Sequence, residues 1–161
     1  MCKLPDKVQP KNKTQLKQLI HYAFKHNIYD LNFIDTSKIT NMSNLFANCE
    51  YNIDVSNWDV SNVTNMYNMF FCCQNFNCDL SNWNVSNVTD MYSMFIACEN
   101  FKGKGLENWD VSNIINMNYM FYECENLNCN LSNWDVSKVQ NMSSVFDSCT
   151  ALKNKPSWCK E

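Results

Sequence analysis

The chain has 161 residues, a net charge of -3, 45% hydrophobic and 14% aromatic residues, a composition too apolar for intrinsic disorder and sufficient for one compact domain. Two glycines and three prolines leave no flexible linker inside it. Arginine is absent, and without it or a dense positive cluster the sequence lacks the phosphate grip and base readout of a nucleic-acid-binding protein, so no nucleic-acid partner is expected.

The amino terminus, MCKLPDKVQP, lacks the apolar run of a signal peptide, and Cys2 without such a run is no lipoprotein acceptor. No later segment approaches the ~18 apolar residues of a membrane span. The expected location is cytoplasmic for the chain as written, and cell-surface or secreted if a leader or parent chain precedes it. Residues 13–26, KTQLKQLIHYAFKH, place Leu16, Leu19, Ile20, Ala23 and Phe24 on one helical stripe, with Lys13, Lys17 and Lys25 away from it. This pattern predicts a capping helix within an amino-terminal segment, residues 1–33, ahead of a repeat array over 34–161, the whole forming a single folded domain.

The array is written in copies. WDVSNVTNMYNMF at 58–70 recurs as WNVSNVTDMYSMF at 83–95, and Trp58, Trp83, Trp109, Trp134 and Trp158 follow one another at intervals of 25, 26, 25 and 24 residues. Met66, Met91, Met117 and Met142 keep step, as do Phe70, Phe95, Phe121 and Phe146; a degenerate first copy runs from Ile34 through Met42 to Phe46. A fixed period of this length marks a repeat architecture, here five copies over 34–158. Within one copy, Phe76, Cys78 and Leu80 alternate with Asn77, Asp79 and Ser81, the period of a half-buried strand. Val63, Met66, Met69, Phe70 and Cys73 gather on one side of a short helix, and Asp59, Ser61 and Asn62 between the two segments supply its cap. The expectation is therefore an α/β repeat solenoid, resembling a leucine-rich repeat, of about five strand-plus-short-helix coils behind the capping helix. Helices, which need ~8–10 Å, would lie on the outside of its curvature and strands, ~4.8 Å apart, on the inside. At the far end Pro156 and the lysines Lys153, Lys155 and Lys160 discourage further strand pairing.

The strings DLNFIDTSKITNMSNLF, FNCDLSNWNVSNVTDMYSMFIAC and LNCNLSNWDVSKVQNMSSVFDSC closely resemble the BspA-like leucine-rich-repeat surface proteins, in the variant with a repeat of about 25 residues. The resemblance covers nearly the whole chain. It implies a bacterial, or bacterially derived, protein-binding repeat of the kind found in surface proteins linked to adhesion and host contact.

Ten cysteines raise the possibility of a metal or redox protein. Cys49, Cys73, Cys98, Cys124 and Cys149 recur once per copy, so they form a row rather than the close pairs that converge on zinc. In-register thiols at least ~4.8 Å apart also miss disulfide geometry, so buried free thiols are expected, with Cys72 and Cys159 the most exposed. The two histidines, His21 and His26, lie in the capping helix far from the repeated Ser and Asp positions. Asp54 and Asp79 stack as a carboxylate pair only in the manner of a solvated strand face, and Asn84 breaks the row of Asp59, Asp110 and Asp135 that calcium would need. Sequons such as Asn62-Val63-Thr64 recur only because the repeat does. No enzyme activity and no cofactor are expected. The informative positions are those where the copies differ. Large apolar or aromatic groups cluster in the central copies, at Tyr67, Phe71, Tyr92, Ile96, Tyr119 and Tyr122, while Ala47 and Asp147 hold the end positions. Such a patch suits a protein interface, the first expected binding face. The second is the longest copy's FKGKGLEN, where Lys102, Gly103, Lys104 and Gly105 surround an inserted residue and present backbone groups. The function expected is a non-catalytic scaffold for a protein partner, alone or as a fragment of a larger surface adhesin.

Overall fold

The computed structural model describes residues 7–159; Cys2 and Lys160 lie outside the described residues. The first element, α1, is the helix Lys13–Lys25. Asn12 caps it, its Oδ1 accepting the Gln15 N–H at 3.0 Å, and Asn27 in the left-handed region (φ 56°) turns the chain after it. Leu16, Ile20 and Ala23 are buried, with Leu19 and Phe24 packed beside them, so the predicted stripe is the face that covers the first coil. Lys13 Nζ pins the start of α1 to Asn41 Oδ1 at 3.2 Å and Ser43 Oγ at 2.6 Å.

The expected α/β solenoid of strands and short helices does not form. Among the described residues α1 is the single α-helix, the only other helical piece is a 3₁₀ turn at Leu106–Asn108, and there is no sheet. Parallel pairing is confined to isolated bridges, such as the column Asn41, Asn65, Asp90, Asn116 and Asn141. The reason lies in a degeneracy of spacing. Apolar residues three apart suit a helix, but they also suit consecutive hydrogen-bonded β-turns, in which residues i and i+3 come together. The coils take the second course: Met69 N–H bonds to Met66 O at 3.1 Å, Cys73 to Phe70 at 3.1 Å, and Phe76 to Cys73 at 3.0 Å. At the third position of the first two turns, Asn68 and Cys72 have φ of 53° and 56°, in the left-handed region that no right-handed helix accommodates. The same two positions are left-handed in every coil, at Asn44 and Asn48, Ser93 and Ala97, Tyr119 and Glu123, and Ser144 and Ser148.

Left-handed backbone costs a residue with a Cβ ~1–2 kcal/mol, so something must hold it. Neighbouring coils do. Asn68 N–H donates to Tyr92 O at 2.9 Å and Cys72 N–H to Ile96 O at 2.8 Å, between the flanking bonds from Met66 to Asp90 and from Phe70 to Met94. Each bond returns ~0.5–1.5 kcal/mol net, and the packing they enforce supplies the rest.

The core is a set of in-register ladders. Phe46, Phe70, Phe95, Phe121 and Phe146 stack at 5.5, 5.4, 5.6 and 5.7 Å between centroids, with planes within 7° of parallel. Trp83, Trp109, Trp134 and Trp158 follow at 6.3, 6.4 and 6.1 Å. Every indole N–H donates to a carbonyl one coil back, Trp58 to Leu31 at 3.0 Å and Trp83 to Val55 at 3.0 Å among them, a bond that phenylalanine could not make at these positions. The turn-built side is spaced by hydrogen bonds like the side opposite, so the wider helical layer expected to lie outside is not there. Phe76, Cys78 and Leu80 are buried as their alternation predicts, although their backbone is no strand. Side-chain amides take the ladder's place: Asn52 Oδ1 accepts from Asn77 N–H at 3.3 Å, and Asn77 Oδ1 from Lys102 N–H at 3.1 Å.

Candidate functional site

The turn that buries Met66 and Met69 points Tyr67 outward, and the equivalent turn one coil on does the same with Tyr92. Because the coils are in register, the two rings stack face to face at 5.1 Å. The next residue in that column is Asn118, not a tyrosine; Tyr119, one position later and left-handed at φ 57°, meets Tyr92 edge-on at 5.9 Å and Tyr122 at 6.2 Å. The structure thus joins Tyr67, Tyr92, Tyr119 and Tyr122 into one aromatic ribbon crossing three coils. Phe71, Ile96 and Tyr122 form a second, half-buried column beside it, placed by the bonds from Cys72 N–H to Ile96 O and from Ala97 N–H to Tyr122 O. Tyr67 is 36% exposed and the others about half-buried, so the ribbon offers ring edges and hydroxyls over a packed base. Ser43 and Ser143 occupy the tyrosine column in the end coils, which limits the ribbon to the middle of the stack.

At the second predicted face the backbone groups are used internally. Lys102 O accepts from Asn128 N–H at 3.3 Å, Lys104 O from Leu80 N–H at 3.1 Å, and Gly105 N–H donates to Glu107 Oε2 at 3.1 Å. Both glycines have positive φ, 80° and 94°. A Cβ on Gly103 would stand 2.6 Å from Cys129 Sγ, and one on Gly105 would collide with the Ser81 backbone, so the inserted residue is accommodated by close packing of three coils. Lys104 Nζ reaches Asp79 Oδ2 at 2.6 Å; that bond, with those from Ser81, pulls the Asp79 carboxyl down to about 2.

The cysteine row has a backbone role that its spacing alone did not reveal. Cys73, Cys98, Cys124 and Cys149 direct Sγ to the carbonyls of Phe46, Phe70, Phe95 and Phe121, one coil back, at 2.9 to 3.0 Å. Burial pushes the Cys73 and Cys149 thiols up to about 12 and those of Cys98 and Cys124 well above their ordinary value, so these groups stay protonated donors. Cys72, Cys129 and Cys159 are the partly exposed thiols among the described residues; the sequence reading named the first and last and missed Cys129. Asp54 is raised by burial but lowered further by bonds from Ser56, Asn32 and Cys78, for a net fall, so neither carboxylate of the Asp54 and Asp79 pair is held protonated as a general acid would be. Asp59, Asn84, Asp110 and Asp135 each accept the N–H of a serine two residues on, at 3.0 to 3.1 Å; they close Asx turns rather than cap helices. The sequence reading also missed a cluster at the amino-terminal end, where Tyr29 stacks on Tyr51 at 4.6 Å and Phe24 meets Tyr51 at 5.0 Å. No helix among the described residues is long and apolar enough to cross a membrane.

With this geometry in place, the comparison with known families is informative. The family described as "Mycoplasma protein of unknown function, DUF285" matches residues 14–105 and again 93–159. The chain belongs to the DUF285 family. Two overlapping matches within one DUF285 chain are what a tandem repeat produces, since the family pattern can begin again one coil later. They span α1, the aromatic ribbon and the inserted residue of the longest coil. Neither a curated protein nor a solved structure matches the chain.

Proposed function

We propose that this DUF285 chain is a non-catalytic scaffold that binds a protein partner through the ribbon of Tyr67, Tyr92, Tyr119 and Tyr122. The observation that carries the reading is the ribbon's continuity: four tyrosine rings in mutual contact, on outward positions that the core does not need, in the central coils. Rigid aromatic groups over a packed base supply much of the binding energy of many protein interfaces, and rings packed against one another, stacked or edge-on, hold their rotamers before the partner arrives. Phe71 and Ile96 extend the face on one side. The BspA-like resemblance favours adhesion or host contact as its use.

The test is capture of protein from an extract of host-cell surfaces by the immobilised chain, by a Tyr92→Ala/Tyr119→Ala variant and by a Lys102→Ala/Lys104→Ala variant. Losing two anchors worth ~2 kcal/mol each lowers affinity by ~10² or more, so the tyrosine variant loses its partner while keeping its fold. The lysine variant keeps it. Equal recovery by the tyrosine variant and the parent chain would contradict the proposal.

A further inference from the structure

One corner of the first coil is short. Trp58 follows Cys49 by nine residues, whereas Trp83 follows Cys73 by ten and Trp109 follows Cys98 by eleven. Side-chain bonds fix the register across this corner: Asn52 Oδ1 accepts from Asn77 N–H at 3.3 Å, and Asn77 Oδ1 from Lys102 N–H at 3.1 Å. One residue before these three, Tyr51 stands level with Phe76 and Phe101. Those two rings are fully buried, but Tyr51 is 41% exposed. It lies outside the core, stacked on the half-buried Tyr29 at 4.6 Å, with Phe24 edge-on at 5.0 Å. Beside it the corner forms an open groove of about 590 Å³, whose lining runs from Tyr29, Glu50 and Tyr51 through Asn52 and Asn77 to Lys102, across the first three coils.

Two kinds of group meet in this groove. Tyr51 offers a ring face held rigid by the aromatic stack behind it. Asn52 and Asn77 offer amide donors of fixed direction, because each Oδ1 is tied to the N–H of the next coil; among the described residues neither Nδ2 has an acceptor. The Glu50 carboxylate, which accepts no hydrogen bond among the described residues, stands beside them. We propose that the groove binds a short, neutral oligosaccharide, with one sugar ring lying on Tyr51 and its hydroxyls, and those of the next sugar, meeting Asn52, Asn77 and Glu50. A pyranose ring has an apolar C–H face for the tyrosine and hydroxyls around its rim that both donate and accept, so one ligand satisfies both kinds of group. Charge points the same way. Glu50 and Lys102 are the charged residues in the lining and have opposite signs, so neither a polyanion nor a polycation is favoured. An apolar ligand would find little beyond the two tyrosines to cover it. Coils ~4.8 Å apart give the groove a span of about 10 Å, longer than a single sugar. Ordered amides and a braced ring also lower the cost of binding, since the site needs no rearrangement.

The probes are maltotriose, cellotriose and triacetylchitotriose, each added to the intact ¹⁵N-labelled chain and followed by the side-chain amide signals in heteronuclear correlation spectra. At least one sugar should bind with a Kd at or below ~1 mM and shift the Asn52 and Asn77 side-chain amides more than those of any asparagine outside the groove. Tyr51→Ala should weaken that binding about tenfold or more. Asn77→Asp keeps the oxygen that accepts from Lys102 N–H but loses the amide donor; it should weaken binding about tenfold while leaving the signals of the other coils in place. The proposal is overturned if none of the three sugars moves these amides at ~10 mM, if the shifts arise elsewhere, if Tyr51→Ala binds as the parent does, or if adenosine monophosphate or trialanine shifts the same amides equally. These readouts do not involve the tyrosine ribbon, so either surface can fail without the other.

Discussion

Phe95 sits at the centre of the stack, fully buried, with Phe70 at 5.4 Å on one side, Phe121 at 5.6 Å on the other and Phe101 at 4.5 Å. Truncation to alanine removes a buried ring, at a cost of ~3–5 kcal/mol. It also breaks four stacked pairs, the fourth with Phe76 at 6.2 Å, each worth ~0.5–1.5 kcal/mol beyond burial. The loss is comparable to the whole stability of a small domain, ~5–15 kcal/mol, so Phe95→Ala is expected to unfold the chain or bring its urea midpoint close to zero. Phe146 is the internal comparison. It is equally buried in its own coil but stacks only on Phe121, at 5.7 Å, with a tilted Trp158 at 5.6 Å. Phe146→Ala should therefore cost ~1–2 kcal/mol less than Phe95→Ala. Urea titrations followed by Trp fluorescence measure both. If the two variants are equally stable, or Phe95→Ala melts with the parent, cooperative stacking of the rings is not what holds the coils together.

Three further outcomes follow from particular residues. Ala97, left-handed at φ 53°, should gain stability on change to glycine, since relief of ~1–2 kcal/mol exceeds glycine's ~0.5–1 kcal/mol entropic penalty, whereas Ala97→Val should lose it; urea midpoints decide, and a destabilised Ala97→Gly would argue against the turn. Thiol labelling at neutral pH should reach Cys72 and Cys159 ahead of Cys129, whose thiol burial pushes up to about 12, and spare Cys73, Cys98, Cys124 and Cys149. Because the Cys73, Cys78, Cys129 and Cys149 thiols are pushed up to about 12 from 9.0, their contribution to stability is complete below pH 9 and declines as pH rises toward 12; a flat alkaline profile would contradict it. Asp79, held at about 2 by Lys104 and Ser81, stabilises above its ordinary 3.8 and loses that contribution as pH falls toward 2, so Asp79→Asn should flatten the acid limb slightly, within the ~1 kcal/mol of an exposed pair.

The repeat and the identity of its buried residues are legible in the letters, because Trp, Met and Phe recur wherever the core needs them. The capping helix is legible for the same reason, with Leu16, Ile20 and Ala23 on one stripe. The backbone between core positions is not. Val60, Val63, Met66 and Met69 are three apart in both a helix and a run of β-turns, and what separates the two is the left-handed residue inside each turn. Asn44, Asn48 and Asn68 signal that conformation, since asparagine tolerates it; Ser93, Ala97, Tyr119 and Glu123 do not, and only the bonds to the next coil hold them there. The tyrosine patch was visible as composition, but the offset of Tyr119 into the neighbouring column depends on that same turn. The thiol-to-carbonyl bonds of the cysteine row depend on backbone direction, which no residue type encodes.

The binding role of the ribbon is tested most directly by tyrosine footprinting of the chain with its captured partner. Tetranitromethane modifies exposed phenols, and Tyr22 and Tyr51, 46% and 41% exposed and away from the ribbon, serve as internal controls. Partner binding should protect Tyr67, Tyr92, Tyr119 and Tyr122 together and leave Tyr22 and Tyr51 as reactive as in the free chain. Unchanged reactivity along the ribbon, or protection confined to Tyr22 and Tyr51, would place the partner elsewhere and contradict the account.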